Sequence, residues 1–175
     1  MLSGHFQGRL LSILSNLIRP KRVLEIGTYT GYSAICLAEG LADGGKVISI
    51  DVNEELEERI NENFIKSDSQ DKIEHIVGDA LKIIPDLEGG FDLVFIDANK
   101  RNYEHYYDLI IDKVNTNGLI ISDNVLWDGK VYDQNSKDLT TKALRKYNLK
   151  LQQDKRIQKV LLPLRDGLMV ARKIS

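Results

Sequence analysis

Two aspartates and an asparagine follow two apolar runs in the second half of the sequence. Asp97 ends the run FDLVFID, and Asp123 and Asn124 end the run GLIISDN. If these runs are neighbouring parallel strands, their ends lie roughly 4.8 Å apart, and two carboxylates that close repel each other unless a cation lies between them. Two carboxylates and an amide oxygen are hard ligands that suit Mg²⁺, Ca²⁺ or Mn²⁺. The sequence therefore predicts a divalent-metal site formed by these three side chains.

Lys100 follows Asp97 by three residues and would stand beside that metal. A neighbouring divalent cation and partial burial both favour the neutral amine, which can accept a proton from a hydroxyl group. We interpret Lys100 as a general base that generates an oxygen nucleophile. Each residue alone also has a simpler interpretation, as a helix cap at Asp97, a turn at Asp123-Asn124 and a solvated charge at Lys100. Their joint position at paired strand ends favours the functional interpretation.

The earlier stretch VLEIGTYTGYS indicates a nucleoside site. Gly27 and Gly31 flank a strand-to-helix turn at which the backbone must approach a ligand closely. Asp51 follows Gly31 by 20 residues at the end of the next strand, where a carboxylate can accept both hydroxyl protons of a ribose. The glycine pair without Asp51 would indicate no more than a tight turn.

The loop pattern favours S-adenosylmethionine over a dinucleotide. A dinucleotide fingerprint, G-x-G-x-x-G, clears room for a pyrophosphate, whereas this loop reads E-x-G-x-x-x-G and carries Tyr29. The acids Glu25, Asp51 and Asp79 would repel a pyrophosphate and complement a cofactor with an ammonium and a sulfonium group. Asp79 could equally cap a helix that begins at Ala80. A nucleotide-dependent oxidoreductase, or a cofactor-binding module without a closed acceptor pocket, are the alternatives.

These residues require an alternation of strands and helices to position them. Strands are predicted over 22–27, 47–51, 73–77, 91–97 and 118–123, and helices over 33–41, 54–67, 80–84, 101–114 and 137–153. Two further strands, 158–162 and 167–173, are joined by a hairpin connection. The predicted fold is α/β and doubly wound, with a mostly parallel seven-stranded sheet and an antiparallel strand near the C-terminus. Ligands bind such sheets beyond the carboxyl ends of the strands.

Composition narrows the class of protein. The 175 residues fit one domain over 1–175, with 42% hydrophobic and 29% charged residues. A net charge of −2 offers no basic surface for nucleic acid. Cys36 is the single cysteine, which excludes a disulfide framework and favours a cytoplasmic location.

The first eighteen residues are apolar enough to suggest a signal peptide. Arg9 interrupts the apolar run and no small-residue cleavage site follows, so we predict a docking helix and no membrane partner. Its apolar face comprises Phe6, Leu10, Leu14, Leu17 and Ile18.

Four segments together resemble a known family. RVLEIGTYTGYSAICLAEGL, VISIDVNEEL, FDLVFIDANKRNY and ISDNVLWDGKV are similar, in order and spacing, to the metal-dependent, S-adenosylmethionine-using O-methyltransferases of the catechol and caffeoyl-CoA type. The resemblance runs from about Ser3 to Ile174. It implies a Rossmann-like methyltransferase fold, methyl transfer to a hydroxyl of a small vicinal-diphenol-like (phenolic) substrate, and a homodimer.

The resemblance also implies a role for individual residues. Cofactor contacts are implied for Ser3, Glu25, Gly27, Tyr29, Ser33, Asp51, Asp79, Ala80 and Asp97. Among these, Ser3 matches a segment at the cofactor's carboxylate end, Asp51 would hold the ribose hydroxyls, and Asp79 with Ala80 would meet the adenine.

At the other site the resemblance implies that Asp97, Asp123 and Asn124 bind Mg²⁺ or a similar ion, with Lys100 as general base. Trp127 and its loop would shape the acceptor pocket. Two features depart from the family pattern. An extra helical region that usually precedes the segment equivalent to Met1 is expected to be either naturally missing or trimmed. The late carboxylate with which catechol enzymes grip the second phenolic oxygen has no clear counterpart.

Overall fold

A seven-stranded sheet forms the centre of the computed structural model, which describes residues 4–175. Its strands are β1 (Arg22–Ile26), β2 (Lys46–Asp51), β3 (Ile73–Val77), β4 (Phe91–Ile96), β5 (Val114–Ser122), β6 (Ile157–Leu162) and β7 (Leu168–Lys173). Their order is β3-β2-β1-β4-β5-β7-β6. The first five strands are parallel, and β7 is antiparallel to both of its neighbours. The winding reverses between β1 and β4, so the carboxyl ends of these strands form the edge where a ligand is expected.

Six helices cover the two faces of the sheet in the described part of the chain. They are α1 (His5–Ile18), α2 (Tyr32–Ala38), α3 (Glu57–Lys66), α4 (Ala80–Ile83), α5 (Tyr103–Ile110) and α6 (Leu139–Gln153). Side chains of α1, α2 and α3 pack on one face, and side chains of α4, α5 and α6 pack on the other. The fold is therefore the predicted doubly wound α/β arrangement.

Burial on both faces explains the continuous apolar run of β4 from Leu93 to Ile96. In β4, Leu93 and Phe95 pack against the face that carries α2, whereas Val94 and Ile96 pack against the face that carries α5. All four side chains are fully buried. A strand covered on both sides shows a continuous apolar run instead of an alternating one, which is the pattern of FDLVFID. The run ends at the first position that leaves the sheet, Asp97.

The largest differences from the predicted boundaries lie between α5 and β5. Helix α5 ends at Ile110 and β5 already begins at Val114, four residues before its predicted start. The register of β4 and β5 shifts here, since Phe91 faces Val114 while Leu93 faces Leu119. The polar segment between Val114 and Leu119 lies in this irregularity, which hides the early part of the strand from a periodicity argument.

The first helix docks with part of the predicted apolar face, since Leu10, Leu14 and Ile18 pack against the core. Phe6 and Leu17 are 69% and 77% exposed, whereas Gln7, Leu11 and Ser15 are buried. The assignment of Phe6 and Leu17 to the docking face is therefore wrong. The buried polar residues find hydrogen-bond partners, which apolar periodicity does not detect. None of the helices within residues 4–175 combines the length and hydropathy that a membrane span requires.

Candidate active site

A cavity of about 410 Å³ opens at the carboxyl ends of β1, β2, β3 and β4. Seven of the residues predicted to bind the cofactor line it: Gly27, Tyr29, Ser33, Asp51, Asp79, Ala80 and Asp97. Ser3 lies outside the described residues. The reversal of the winding and the end of each strand thus bring most of the predicted cofactor residues to one cavity.

Gly27 allows two strand ends to approach each other closely. Its φ is +102°, and a Cβ at this position would lie 2.1 Å from the backbone oxygen of Asp97. A side chain of any kind would therefore collide with the end of β4 as well as strain the backbone. Gly31 has a φ of +83°, and a Cβ there would meet the ring of Phe64 at 2.5 Å. Glycine is therefore required at both positions, because a Cβ would clash with a neighbouring segment and because φ is positive.

Asp51 holds the glycine loop through its backbone amides. Its Oδ2 accepts hydrogen bonds from the N–H groups of Thr28 at 2.9 Å and Tyr29 at 2.8 Å. Its Oδ1 accepts one from the N–H of Asn53 at 3.0 Å. A carboxylate has about four acceptor sites, so Oδ1 can still accept from a ligand hydroxyl. Asp51 is thus placed to shape the loop and to contact a ribose.

Glu25 is fully buried beneath this loop, behind the cavity wall. Its Oε2 accepts a hydrogen bond from the hydroxyl of Ser49, which in turn lies 2.6 Å from the hydroxyl of Thr28. Burial raises the pKa of Glu25 to about 8, and the nearby charges of Asp97 and Asp51 add to it, whereas the hydroxyls of Ser33 and Ser49 oppose it. This carboxyl is therefore mostly protonated at neutral pH.

Asp79 caps a helix and also lines the cavity. Its Oδ1 accepts a hydrogen bond from the N–H of Leu81 at 3.0 Å, so it caps α4. The same residue and Ala80 line the cavity. The cap and the cavity contact are therefore compatible.

Asp97 and Asp123 follow residues that are paired in the sheet. Ile96 of β4 and Ser122 of β5 are register partners, and the N–H of Asp123 donates to the Ile96 oxygen at 3.0 Å. Lys100 Nζ donates to Asp97 Oδ1 at 2.5 Å, and both side chains are largely buried, at 12% and 14% exposure. The structure thus brings Asp97, Asp123 and Lys100 together next to the cavity, which shares Asp97.

The carboxylate of Asp123 is fixed at both oxygens. Gln7 Nε2 of α1 donates to Oδ2 at 2.8 Å, and the N–H of Asn124 donates to Oδ1 at 2.8 Å. Burial raises the pKa of Asp123, and the charge of Asp97 raises it further, against the opposing effects of Gln7, Asn124 and Lys100. Two acids close enough to disturb each other are the arrangement that a cation would relieve. Asn124 is buried beside them, with a φ of +56°.

Tyr103 lies beneath this cluster and does not reach the cavity rim. Its hydroxyl is 3.1 Å from the oxygen of Ile96 and 3.0 Å from the oxygen of Asp123, so one group joins the ends of β4 and β5. Lys100 Nζ lies 5.2 Å above its ring. Burial holds the pKa of Tyr103 well above the ordinary value of a tyrosine. Tyr106, one turn further along α5, lines the cavity instead.

The donor groups fit the predicted ligands to different degrees. The cavity is lined by acids and loop backbone, as a nucleoside with a cationic tail requires. In residues 4–175, no group of three or more His, Cys, Asp and Glu side chains could hold a metal ion by itself. The predicted metal set contains two carboxylates and an amide, so any ion there would need Asn124 and outside oxygens to complete its ligands.

Several residues of this region escaped the sequence argument. Thr28, Asn99, Asn102 and Tyr106 also line the cavity. Asn99 and Asn102 lie within or next to the segment FIDANKRNY, so their position just past a strand end was a usable signal. Gln7 had no such signal, because its partner Asp123 is 116 residues away.

The loop after β5 carries Trp127, which is predicted to shape the acceptor pocket. Trp127 has a φ of +50°, and Lys130 Nζ lies 5.7 Å from the centre of its ring. The N–H of Asp128 donates to Asp166 Oδ1 of the β6–β7 connection at 2.5 Å. This loop is therefore tied to the C-terminal hairpin.

Known proteins match this chain over almost its full length. A family model described as O-methyltransferase matches residues 1–174. Caffeoyl-CoA O-methyltransferase 1 from Eucalyptus globulus is 38% identical over 187 aligned residues, covering 100% of this chain and 76% of that protein. The O-methyltransferase from Bacillus cereus in complex with SAH has a TM-score of 0.93 at 28% identity, covering 98% of this chain and 82% of that one.

A second solved structure agrees. TomG, an O-methyltransferase from Streptomyces achromogenes involved in tomaymycin synthesis and in complex with SAM, has a TM-score of 0.94 at 27% identity, covering 99% of this chain and 82% of that one. The family match spans the glycine loop, the end of β2 and the paired ends of β4 and β5. The motif resemblance is confirmed at the level of the family. The chain belongs to the O-methyltransferase family.

Proposed function

We propose that this enzyme transfers a methyl group from S-adenosylmethionine to a hydroxyl of a small vicinal-diphenol-like acceptor, and that the transfer depends on a divalent cation. One observation carries the proposal. Asp97 lies both in the wall of the cavity and in the cluster with Lys100 and Asp123, so a donor in the cavity and an acceptor at the cluster would be neighbours. Nearness and alignment of donor and acceptor supply a large share of the rate in such transfers.

The cavity residues would bind and orient the methyl donor. Asp51 would accept hydrogen bonds from the ribose hydroxyls while it continues to hold the amides of Thr28 and Tyr29. Ser33 lines the cavity and would meet the amino-acid end of the donor, whereas Glu25 lies behind the wall and would support Ser33 from there. The names of relatives support this choice of cofactor, since solved neighbours are in complex with SAM or SAH.

Asp97, Asp123 and Asn124 would hold Mg²⁺ or a similar divalent ion. When bound there, such an ion would acidify an acceptor hydroxyl and select acceptors with two adjacent oxygens. The charge balance of the cluster supports this role, because burial and the charge of Asp97 both act against ionisation of Asp123. The hard oxygen donors suit Mg²⁺, Ca²⁺ or Mn²⁺ better than softer metals.

Lys100 would receive the proton of the acceptor hydroxyl at Nζ. The amine is held 2.5 Å from Asp97 Oδ1 and above the ring of Tyr103, so its position is set before an acceptor arrives. Because an ammonium cannot accept a proton, Lys100 must first lose its own to solvent.

Metal removal tests the proposal directly. Methyl transfer from labelled S-adenosylmethionine to catechol is measured after treatment with EDTA and again after Mg²⁺ is added in excess. We expect transfer to stop with EDTA and to return with Mg²⁺. Transfer that continues in protein shown to be metal-free would overturn the metal dependence, and equal transfer to phenol and catechol would overturn the vicinal acceptor.

A further inference from the structure

The amide of Gln7 bridges two parts of the chain that are distant in sequence. Its Nε2 donates to Asp123 Oδ2 at 2.8 Å, and its Oε1 accepts from Arg165 Nη1 at 3.0 Å. The side chain is 1% exposed. The carboxylate of Asp123 can only accept a hydrogen bond, and the guanidinium of Arg165 can only donate one. The amide therefore has one orientation, with its nitrogen toward Asp123.

Helix α1 carries this amide to the site, and packing on α2 sets where the helix lies. Ser15 Oγ donates to the Leu37 oxygen at 2.6 Å. A Cβ at Gly40 would lie 2.2 Å from the backbone carbon of Ser15, so the two segments touch through the glycine. Nearer the start of α1, Arg9 forms two hydrogen bonds to Glu39 at the end of α2, at 3.0 and 2.6 Å. The position of Gln7 is thus determined by contacts remote from Asp123.

With Gln7 on one oxygen and the Asn124 N–H on the other, the Asp123 carboxylate cannot rotate freely. Each oxygen still has acceptor capacity that these bonds do not use. A carboxylate held in this way keeps its free lone pairs in one direction and loses little entropy when it binds an ion.

We propose that Gln7 is a positioning residue, which orients the Asp123 carboxylate toward the divalent cation, and that Arg165 acts through Gln7 by fixing the direction of its amide. This inference rests on the proposed function, because it assigns Gln7 to the metal set proposed there. It differs from a purely structural role in its consequence. An amide that merely packs α1 would leave the affinity for a cation unchanged when it is replaced.

The test measures Mn²⁺ binding by electron paramagnetic resonance, without donor or acceptor. Gln7→Met keeps the length of the side chain and removes the hydrogen bonds to Asp123 and Arg165. We expect its Kd for Mn²⁺ to rise by about 10-fold to 100-fold, the usual effect of losing a residue that holds a metal ligand. S-adenosylmethionine affinity, measured by calorimetry in EDTA, should not change. Asn16→Met is the matched control, since it removes an exposed amide from the same helix and should leave Mn²⁺ binding at the wild-type level.

Arg165→Met provides the second variant, because Arg165 is exposed in the β6–β7 connection and its loss should not impair folding. It should weaken Mn²⁺ binding by less than Gln7→Met does. The double variant should bind no more weakly than Gln7→Met alone, since Arg165 acts through the amide.

Three results would overturn the inference. A folded Gln7→Met protein that binds Mn²⁺ like wild type would remove Gln7 from the metal set while leaving the proposed function intact. If Gln7→Met does not fold, a wild-type Kd for Mn²⁺ in Arg165→Met would likewise remove Gln7 from the metal set. Absence of Mn²⁺ binding by the wild-type chain would overturn the metal assignment and the role of Gln7 together.

Discussion

The cavity at the ends of β1 to β3 and the cluster at the ends of β4 and β5 share one edge of the sheet but hold their polar groups by different means. In the cavity, Asp51 and Asp79 are fixed by backbone N–H groups, and glycines create the space. In the cluster, Asp97 is held by the side chain of Lys100 and Asp123 in part by that of Gln7. The positions of the cavity acids therefore depend on the path of the backbone, and those of the cluster acids depend largely on contacts with other side chains.

This difference predicts that the two halves fail separately. A substitution in the cavity should weaken cofactor binding and leave kcat unchanged, because other residues hold the cluster in place. A change in the cluster should reduce turnover or cation binding and spare the cofactor. Asp97 is the exception, since it belongs to both.

Loss of the proposed base should have the largest effect. Lys100→Ala should lower kcat by about 10²-fold to 10⁴-fold, the usual contribution of a positioned general base, with little change in the Kd for S-adenosylmethionine. Steady-state kinetics and calorimetry measure the two quantities. Lys66→Ala, at an exposed lysine on α3, is the control. Lost cofactor affinity with preserved turnover would contradict the assignment and the separation of the two halves.

The converse change is Asp51→Asn in the cavity. A carboxylate that accepts two loop amides and would accept ribose hydroxyls contributes about 1.5–3 kcal/mol per charged hydrogen bond. We expect the Kd for S-adenosylmethionine to rise by roughly 10-fold to 100-fold. Mn²⁺ binding should stay at the wild-type level, and Asp43→Asn, at an exposed acid, should change neither. A variant with normal cofactor affinity would remove Asp51 from the nucleoside site.

Glu25 gives a prediction about pH. Its pKa rises from 4.5 to about 8 in the folded chain, so between these values the folded state binds a proton that the unfolded state has released. Stability should therefore fall as pH rises from about 5 to 8, and this contribution should level off above that range. Glu25→Gln should remove this part of the slope when Tm is measured against pH. Glu74→Gln, at an exposed residue of β3, should retain it; an unchanged slope in Glu25→Gln would mean that Glu25 is ionised throughout.

Tyr103 tests how firmly the two acids are spaced, with the smallest expected effect. Tyr103→Phe removes the hydroxyl that joins the ends of β4 and β5, at a cost of about 1 kcal/mol. The Tm should fall by about 2–4 °C for a chain of this size. Tyr106→Phe, in the cavity wall, should cost less, because its hydroxyl makes only a 3.5 Å contact with Asn102. An equal fall in Tm in both variants would show that the hydroxyl of Tyr103 stabilises the fold no more than that of Tyr106.

Strand ends were the part of the site that the sequence could predict. The continuous apolar run of β4 from Leu93 to Ile96 marks both its burial on two faces and its end at Asp97, where the chain leaves the sheet. The same reasoning located Asp51 and Asp123. Residue types then restricted the chemistry, and the family match confirms the class of enzyme. The homodimer and the metal stay predictions.

Contacts between distant segments were beyond the sequence argument. The early start of β5 lies in an irregular register that no periodicity describes. On α1, the buried positions Gln7 and Ser15 were missed because both residues are polar, and only their partners after β5 and on α2 explain their burial. Hydrogen bonds across more than a hundred residues leave no local pattern.

The contact between Gly27 and the backbone of Asp97 has a consequence for how the enzyme could change. The glycine loop and the first residue of the cluster touch with no side chain between them, since a Cβ at Gly27 would lie only 2.1 Å from the Asp97 oxygen. Even a single methyl group there would push the ends of β1 and β4 apart, and with them the proposed donor and base sites. If those sites are as proposed, a change of acceptor would come through the loop around Trp127 and not through this contact.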